Sequence, residues 1–206
     1  MRLPMIAGLV SALLSGSCGT RQDAEFIIPE VVDSKVDAFW VDIFFESIRA
    51  KNRNVGIEDL ESRVINDGEF EIRVYSGFGL QPFKLGGHPL DLVVITFSPT
   101  GVRTARYPAS PDGPMIREHP DPSFWNALCR NGLFDLPDSN TLDVYNRGVL
   151  DGVSYVVELK SADAYRHYKY GNPAHSADVP QAQSMLAIID LLQEHTTFDT
   201  GFKWVE

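Results

Sequence analysis

Ser154-Tyr155-Val156-Val157-Glu158-Leu159-Lys160-Ser161-Ala162-Asp163-Ala164-Tyr165-Arg166-His167-Tyr168-Lys169-Tyr170-Gly171 decides the fold, because it reads as two strands joined by a tight turn. Val153–Lys160 and Ala164–Gly171 are rich in β-branched and aromatic residues, and Ser161–Asp163 supplies the turn between them. Pairing Lys160 with Tyr165 sets Val157 against Tyr168 and Tyr155 against Tyr170, which makes one apolar face. The same register places Glu158 opposite His167 and Val156 opposite Lys169 on the other face.

Upstream, Phe70, Ile72 and Val74 alternate with Glu69, Glu71 and Arg73, the period of a half-buried strand that follows the turn dipeptide Asp67-Gly68. Asp91–Ser98 is more uniformly apolar, as a central strand should be. Gly101–Tyr107 returns after Pro99-Thr100-Gly101. Tyr107–Pro122 carries Pro108, Pro111, Pro114, Pro120 and Pro122, so it is expected to be an irregular, stiff surface loop. Three helices frame these strands. Val36, Phe39, Trp40, Ile43, Phe44, Ser47 and Ile48 recur at helical spacing, with Val41 and Phe45 widening the apolar face and Asn52–Gly56 as the stop. Asp121-Pro122 opens a second helix with Phe124, Trp125, Leu128 and Cys129 inside, and Asn131-Gly132 closes it. Asp178-Val179-Pro180-Gln181 has capping-box spacing ahead of Ala182, Met185, Leu186, Ile188, Ile189, Leu191 and Leu192. The order α-β-β-β-α-β-β-α lacks regular βα alternation. It predicts an α+β fold: a mainly antiparallel sheet of about five strands with three helices packed on one face.

With 206 residues, 44% of them hydrophobic and 22% charged, the chain has the composition of one globular domain. Twenty-eight acidic residues against 18 basic ones give a net charge of −10, and no basic run interleaves with aromatics. A phosphate backbone would be repelled, so nucleic acid is excluded as an expected partner.

The first 18 residues carry an address. Met1-Arg2 precede an apolar run, Leu3–Leu14, which exits through Ser15-Gly16-Ser17 to Cys18. The run is shorter than the ~20 residues of a spanning helix. Leu14-Ser15-Gly16-Ser17-Cys18 resembles the lipobox of bacterial lipoproteins, although Ser15 stands where Leu is usual. The resemblance implies cleavage before Cys18, a thioether-linked diacylglyceryl group and an acylated new N-terminus. Gly19 rather than Asp next to it implies sorting to the outer membrane. The expected organisation is a signal peptide over 1–17, a tether over 18–30 and one domain over 31–206. The expected location is the periplasmic face of a membrane, held by the lipid anchor, with an envelope protein as a possible partner. An ordinary secretory signal cut after Ser17, giving a secreted or periplasmic protein, is the alternative. The segment Phe124-Trp125…Leu133-Phe134-Asp135-Leu136-Pro137 with Asp151–Val157 resembles bacterial exported domains to which no activity attaches.

No cofactor is expected. Catalytic candidates are few. Glu158 and His167 on an open sheet face would form an acid/base couple, with Arg166, Tyr165 and His175 near in sequence. A solvated cross-strand pair worth up to about 1 kcal/mol is the simpler reading of the same residues. Asp135, Asp138, Asn140, Asp143, Asn146 and Asp151 form an oxygen-rich connection, but Asp and Asn are also the default turn residues. The five histidines show no metal-binding spacing, and Gly77-Phe78-Gly79 and Gly86-Gly87 do not open a helix as a phosphate cradle would. Cys129, left without a partner if Cys18 is acylated, reads as a small hydrophobe. A non-enzymatic binding protein leads; an exported hydrolase and a secreted structural or inhibitory module are the rivals.

Overall fold

The computed structural model describes residues 25–33, 40–78, 90–109, 113–119, 121–142 and 152–198. Helix α1 spans Trp40–Val55, followed by strands β1 (Phe70–Phe78), β2 (Asp91–Ser98), β3 (Gly101–Tyr107) and β4 (Met115–His119). Helix α2 (Ser123–Arg130), strands β5 (Ser154–Lys160) and β6 (Tyr165–Gly171), and helix α3 (Pro180–Thr196) complete the order. The strands form one six-stranded sheet, β4-β3-β2-β1-β5-β6, and every neighbouring pair is antiparallel. The fold is α+β, as the sequence predicts. The β5–β6 hairpin has the expected register, with Lys160 opposite Tyr165 and Glu158 opposite His167. Its turn closes through the Ser161 N–H to the Ala164 carbonyl at 2.9 Å and the Ala164 N–H to Ser161 Oγ at 3.2 Å.

Strand alternation sorts the side chains onto two buried faces. On one, Phe70, Ile72, Val74, Val93, Ile95, Phe97, Val157, Leu159 and Tyr168 pack against Phe124, Trp125 and Leu128 of α2 and Met185, Ile188 and Leu192 of α3. Phe97 stacks on Trp125 with ring centroids 4.4 Å apart. On the other face, Tyr75, Leu92 and Val156 meet Ile48 of α1, with Val41, Phe44 and Phe45 around them. The expectation of three helices on one face is therefore corrected. Helix α1 lies on the opposite face from α2 and α3, so the sheet is the middle of three layers. Fully burying each large aliphatic contributes about 1.5–3 kcal/mol, which a wide apolar helix face can recover from either side of a sheet.

The sixth strand is the second correction. β4 lies inside the proline-rich stretch read as irregular: its five residues follow Pro114 and stop before Pro120 in the sequence. It sits at the sheet's edge, where only one side of a strand has to pair. Helix α2 starts at Ser123 with Pro122, not the expected Asp121, as N-cap, although the Asp121 carboxylate still accepts from the Ser123 N–H at 2.7 Å. At its end Gly132 takes φ +78°, and its N–H and that of Leu133 bond the carbonyls of Cys129 and Leu128 at 2.9 and 3.2 Å. Helix α3 lacks the expected capping box. It starts at Pro180 with Val179 as N-cap and no side-chain cap bond. Val179 is buried in the core, which fixes the chain's entry, and Asp178 is left exposed.

The N-terminal stretch is part of the domain from Glu25 onward, earlier than the expected start at residue 31. Asn126 of α2 holds it at two points: the Ile27 N–H donates to Asn126 Oδ1 at 2.8 Å, and Asn126 Nδ2 donates to the Glu25 carbonyl at 2.9 Å. Trp125 Nε1 adds a bond to the Ile27 carbonyl at 2.6 Å. Phe26 meets Phe97 edge-on at 5.4 Å, and Val31 is in the core. Cys18 and the segment before it lie outside the described residues. Among the described residues no helix is long and apolar enough to cross a membrane.

Candidate functional site

The face beneath α1 is where the Glu158–His167 pair resides, and it is not open. Glu158 is 2% exposed and His167 6%. The pair is adjacent across β5 and β6 as expected, but α1 covers it: the His167 ring lies 5.0 Å from that of Phe45 and 5.8 Å from that of Tyr165. Both the acid/base reading and the solvated-pair reading assume exposure to water, and burial contradicts both.

A polar cluster fills the space instead. Tyr165 Oη donates to Glu158 Oε1 at 2.6 Å, and Tyr75 Oη lies 2.8 Å from Glu158 Oε2 and 3.0 Å from Asn52 Oδ1 of α1. Arg73, opposite Glu158 across β1 and β5, donates from Nε to Glu71 Oε1 at 2.8 Å and from Nη1 to the Glu58 carbonyl at 2.7 Å, and its Nη2 forms an ion pair with Glu71 Oε1 at 2.7 Å. Arg63 closes on Glu71 Oε2 at 3.0 Å. Burial pushes the Glu158 carboxyl up, against the opposing pull of the Tyr165 hydroxyl, Arg73 and Tyr75. Burial and then the Glu158 charge drive Tyr75 and Tyr165 well above the ordinary phenol range. Such a cluster holds α1 and the hairpin in register. Both Glu158 oxygens are taken by tyrosines.

The remaining candidates are elsewhere. Arg166, one residue from His167, projects to the opposite face, where it donates to the Leu136 carbonyl and lies over the Tyr168 ring at 5.6 Å. His175 sits after β6 in the 3-10 turn Pro173–Ser176. There a groove of about 260 Å³ opens between the end of the hairpin and α3, lined by Val153, Tyr155, Asn172, His175, Leu186, Ile189, Asp190 and Gln193. Its lining mixes apolar with polar and titratable side chains, the general make-up of a small-ligand site. The structure thus separates the four predicted residues into three places. Of the four, His175 lines this groove, together with Asp190 of α3, which was not singled out from the sequence.

The groove's shape depends on one close approach. Gly152 has φ +148°, and a Cβ placed there would lie 1.5 Å from Asn172 Oδ1. Asn172 itself is left-handed at φ 49°, with its N–H on the Val153 carbonyl at 2.8 Å. The oxygen-rich connection turns out to be structural at Asp138: its carboxylate accepts from the Asn140 N–H at 2.9 Å and from the Lys169 N–H at 2.9 Å, covering the edge of β6. Asp143, Asn146 and Asp151 lie outside the described residues, as do Gly79, Gly86 and Gly87. Among the described residues no three His, Cys, Asp or Glu side chains gather as metal ligands would. Cys129 lies on α2 with its thiol pushed up to about 12, chiefly by burial.

No family model matches this chain, and no curated protein is detectably similar to it.

Proposed function

We propose that this protein is a lipid-anchored component of the bacterial cell envelope. In this reading its α+β domain binds an envelope protein or a small ligand and catalyses no reaction. The observation that carries the reading is Leu14-Ser15-Gly16-Ser17-Cys18 at the exit of a short apolar run. Two or three acyl chains on Cys18, at ~0.8 kcal/mol per buried methylene, would hold the domain on a leaflet almost permanently. Gly19 favours the outer membrane, with the domain on the periplasmic side. The net charge of −10 suits a domain that stays in water beside an anionic surface. The groove beside His175 is the binding surface this reading favours, because its lining joins apolar side chains to hydrogen-bonding groups.

Cys18→Ala tests the reading. The variant should leave the membrane fraction while keeping its fold, and the mature wild-type terminus should carry the diacylglyceryl and acyl masses. An unmodified terminus, or one cut away from Cys18, would overturn it in favour of simple secretion. For the hydrolase alternative, the Glu158–His167 pair is buried, and His175 and Asp190 are the titratable groups on the groove. That alternative would gain ground if His175→Ala abolished a hydrolytic activity of the purified protein.

A further inference from the structure

The two ends of the sheet differ in kind. One end is formed by Phe70 at the start of β1, Ser98 at the end of β2, Gly101 at the start of β3 and Lys160 at the end of β5. The N-terminal stretch is fastened there, through Phe26 on Phe97 and through Asn126. The opposite end, where β5 begins and β6 finishes, bears the groove with Val153, Asn172 and His175. Strands of seven residues separate the ends by about 20 Å at ~3.3 Å per residue.

Seven Cα steps join Cys18 to Glu25, a covalent limit of about 25 Å at ~3.6 Å each. A domain of this size has a radius of gyration near ~16 Å and so a diameter of roughly 40 Å. A chain shorter than the body it holds, fixed to one end of that body, cannot turn the other end toward its anchor point. Independent of the tether, the same end exposes apolar side chains. Ile28 on the fastened stretch is 64% exposed, and Val64 is 89% exposed. Val64 follows Arg63, whose guanidinium pairs with Glu71 in the second position of β1. Lys160 lies at the same end, its Nζ on the Glu61 carbonyl.

We infer that this end of the sheet is the domain's membrane-apposed surface, meeting lipid through Ile28 and Val64, and that the groove at the far end opens away from the leaflet. The inference rests on the proposed acylation of Cys18. It makes the groove a site for soluble or opposing envelope components rather than for lipids of the anchoring leaflet.

The test uses the full chain, acylated and recovered from membranes, with Cys129→Ser and a single added cysteine at Val64→Cys or Ala174→Cys. Each is dye-labelled and reconstituted into phosphatidylethanolamine–phosphatidylglycerol vesicles carrying a headgroup acceptor. Energy transfer should be at least about twofold greater from position 64 than from 174, given ends about 20 Å apart. Adding Asn126→Ala should narrow that ratio without releasing the protein. Equal transfer, or more from 174, from vesicle-bound protein would overturn the orientation alone. Protein that lacks the acyl mass and stays off the vesicles would overturn the anchor and the orientation together.

Discussion

Asn126→Ala should loosen the N-terminal stretch from the domain by a predictable amount. The side chain is 2% exposed and makes two bonds across about a hundred residues of sequence, at 2.8 and 2.9 Å. A neutral hydrogen bond contributes about 1 kcal/mol net, and leaving a buried partner unmet costs about 1–3 kcal/mol. Glu25 and Ile27 are both exposed residues, but their bonds to Asn126 are partly buried, so water replaces them only in part. The expected loss is about 2 kcal/mol, a fall in urea midpoint of about 1 M for an m-value near ~2 kcal/mol/M. Exchange of the Ile27 amide should accelerate in step. Trp125→Phe removes the 2.6 Å bond to the same segment, so the double variant should cost less than the sum of the two singles. A loss below about 0.5 kcal/mol with an unchanged Ile27 amide would refute the claim that this clamp holds the segment.

Other expectations follow from the cluster beneath α1 and from α2. Glu158→Leu strands the buried hydroxyls of Tyr75 and Tyr165 and should cost about 2–4 kcal/mol, whereas Glu158→Gln keeps hydrogen-bonding atoms in place and should cost under about 1 kcal/mol. The sign with pH is set by burial, which raises the native carboxyl above its unfolded value of ~4.3. Native Glu158 then binds more protons than the unfolded chain, so its contribution declines as pH rises from the unfolded pKa through the native one. Denaturant titrations across that range should show a less downward slope for Glu158→Gln; identical slopes would contradict the raised carboxyl. Native Cys129, its thiol near 12, should react with iodoacetamide at pH 8 on the order of a hundredfold more slowly than the unfolded chain. Stoichiometric labelling within minutes would show the thiol to be exposed.

The hairpin was legible because alternation and a short turn leave one register that puts Val157 with Tyr168 on an apolar face, with four residues, Ser161–Ala164, between the paired ends. What alternation cannot reveal is whether the polar face is wet. Glu71, Arg73, Glu158 and His167 read as a solvent face, yet all four are buried, with Arg73 paired to Glu71 and Glu158 bonded by Tyr75 and Tyr165. Two signals pointed to that burial: the near-continuous apolar run of β2, and the wide apolar surface of α1 with Val41, Phe44, Phe45 and Ile48. β4 stayed hidden because its prolines flank the strand rather than interrupt it. The groove was half legible: His175 stood out as a titratable residue, but Asp190 joins it only once α3 folds back over the end of the hairpin.

On the proposed acylation of Cys18, the brevity of β4 acquires a purpose on a crowded leaflet. Copies anchored in that way would be confined to two dimensions, where collisions between neighbours are far more frequent than in free solution. An uncovered sheet margin bearing Met115 and Ile116 would then seed ribbons running from molecule to molecule. Five residues, with Pro114 ahead and Pro120 behind in the sequence, give an approaching strand too little backbone to zip along. The opposite margin is shielded by Asp138 on Lys169, so dense packing on a membrane need not become polymerisation.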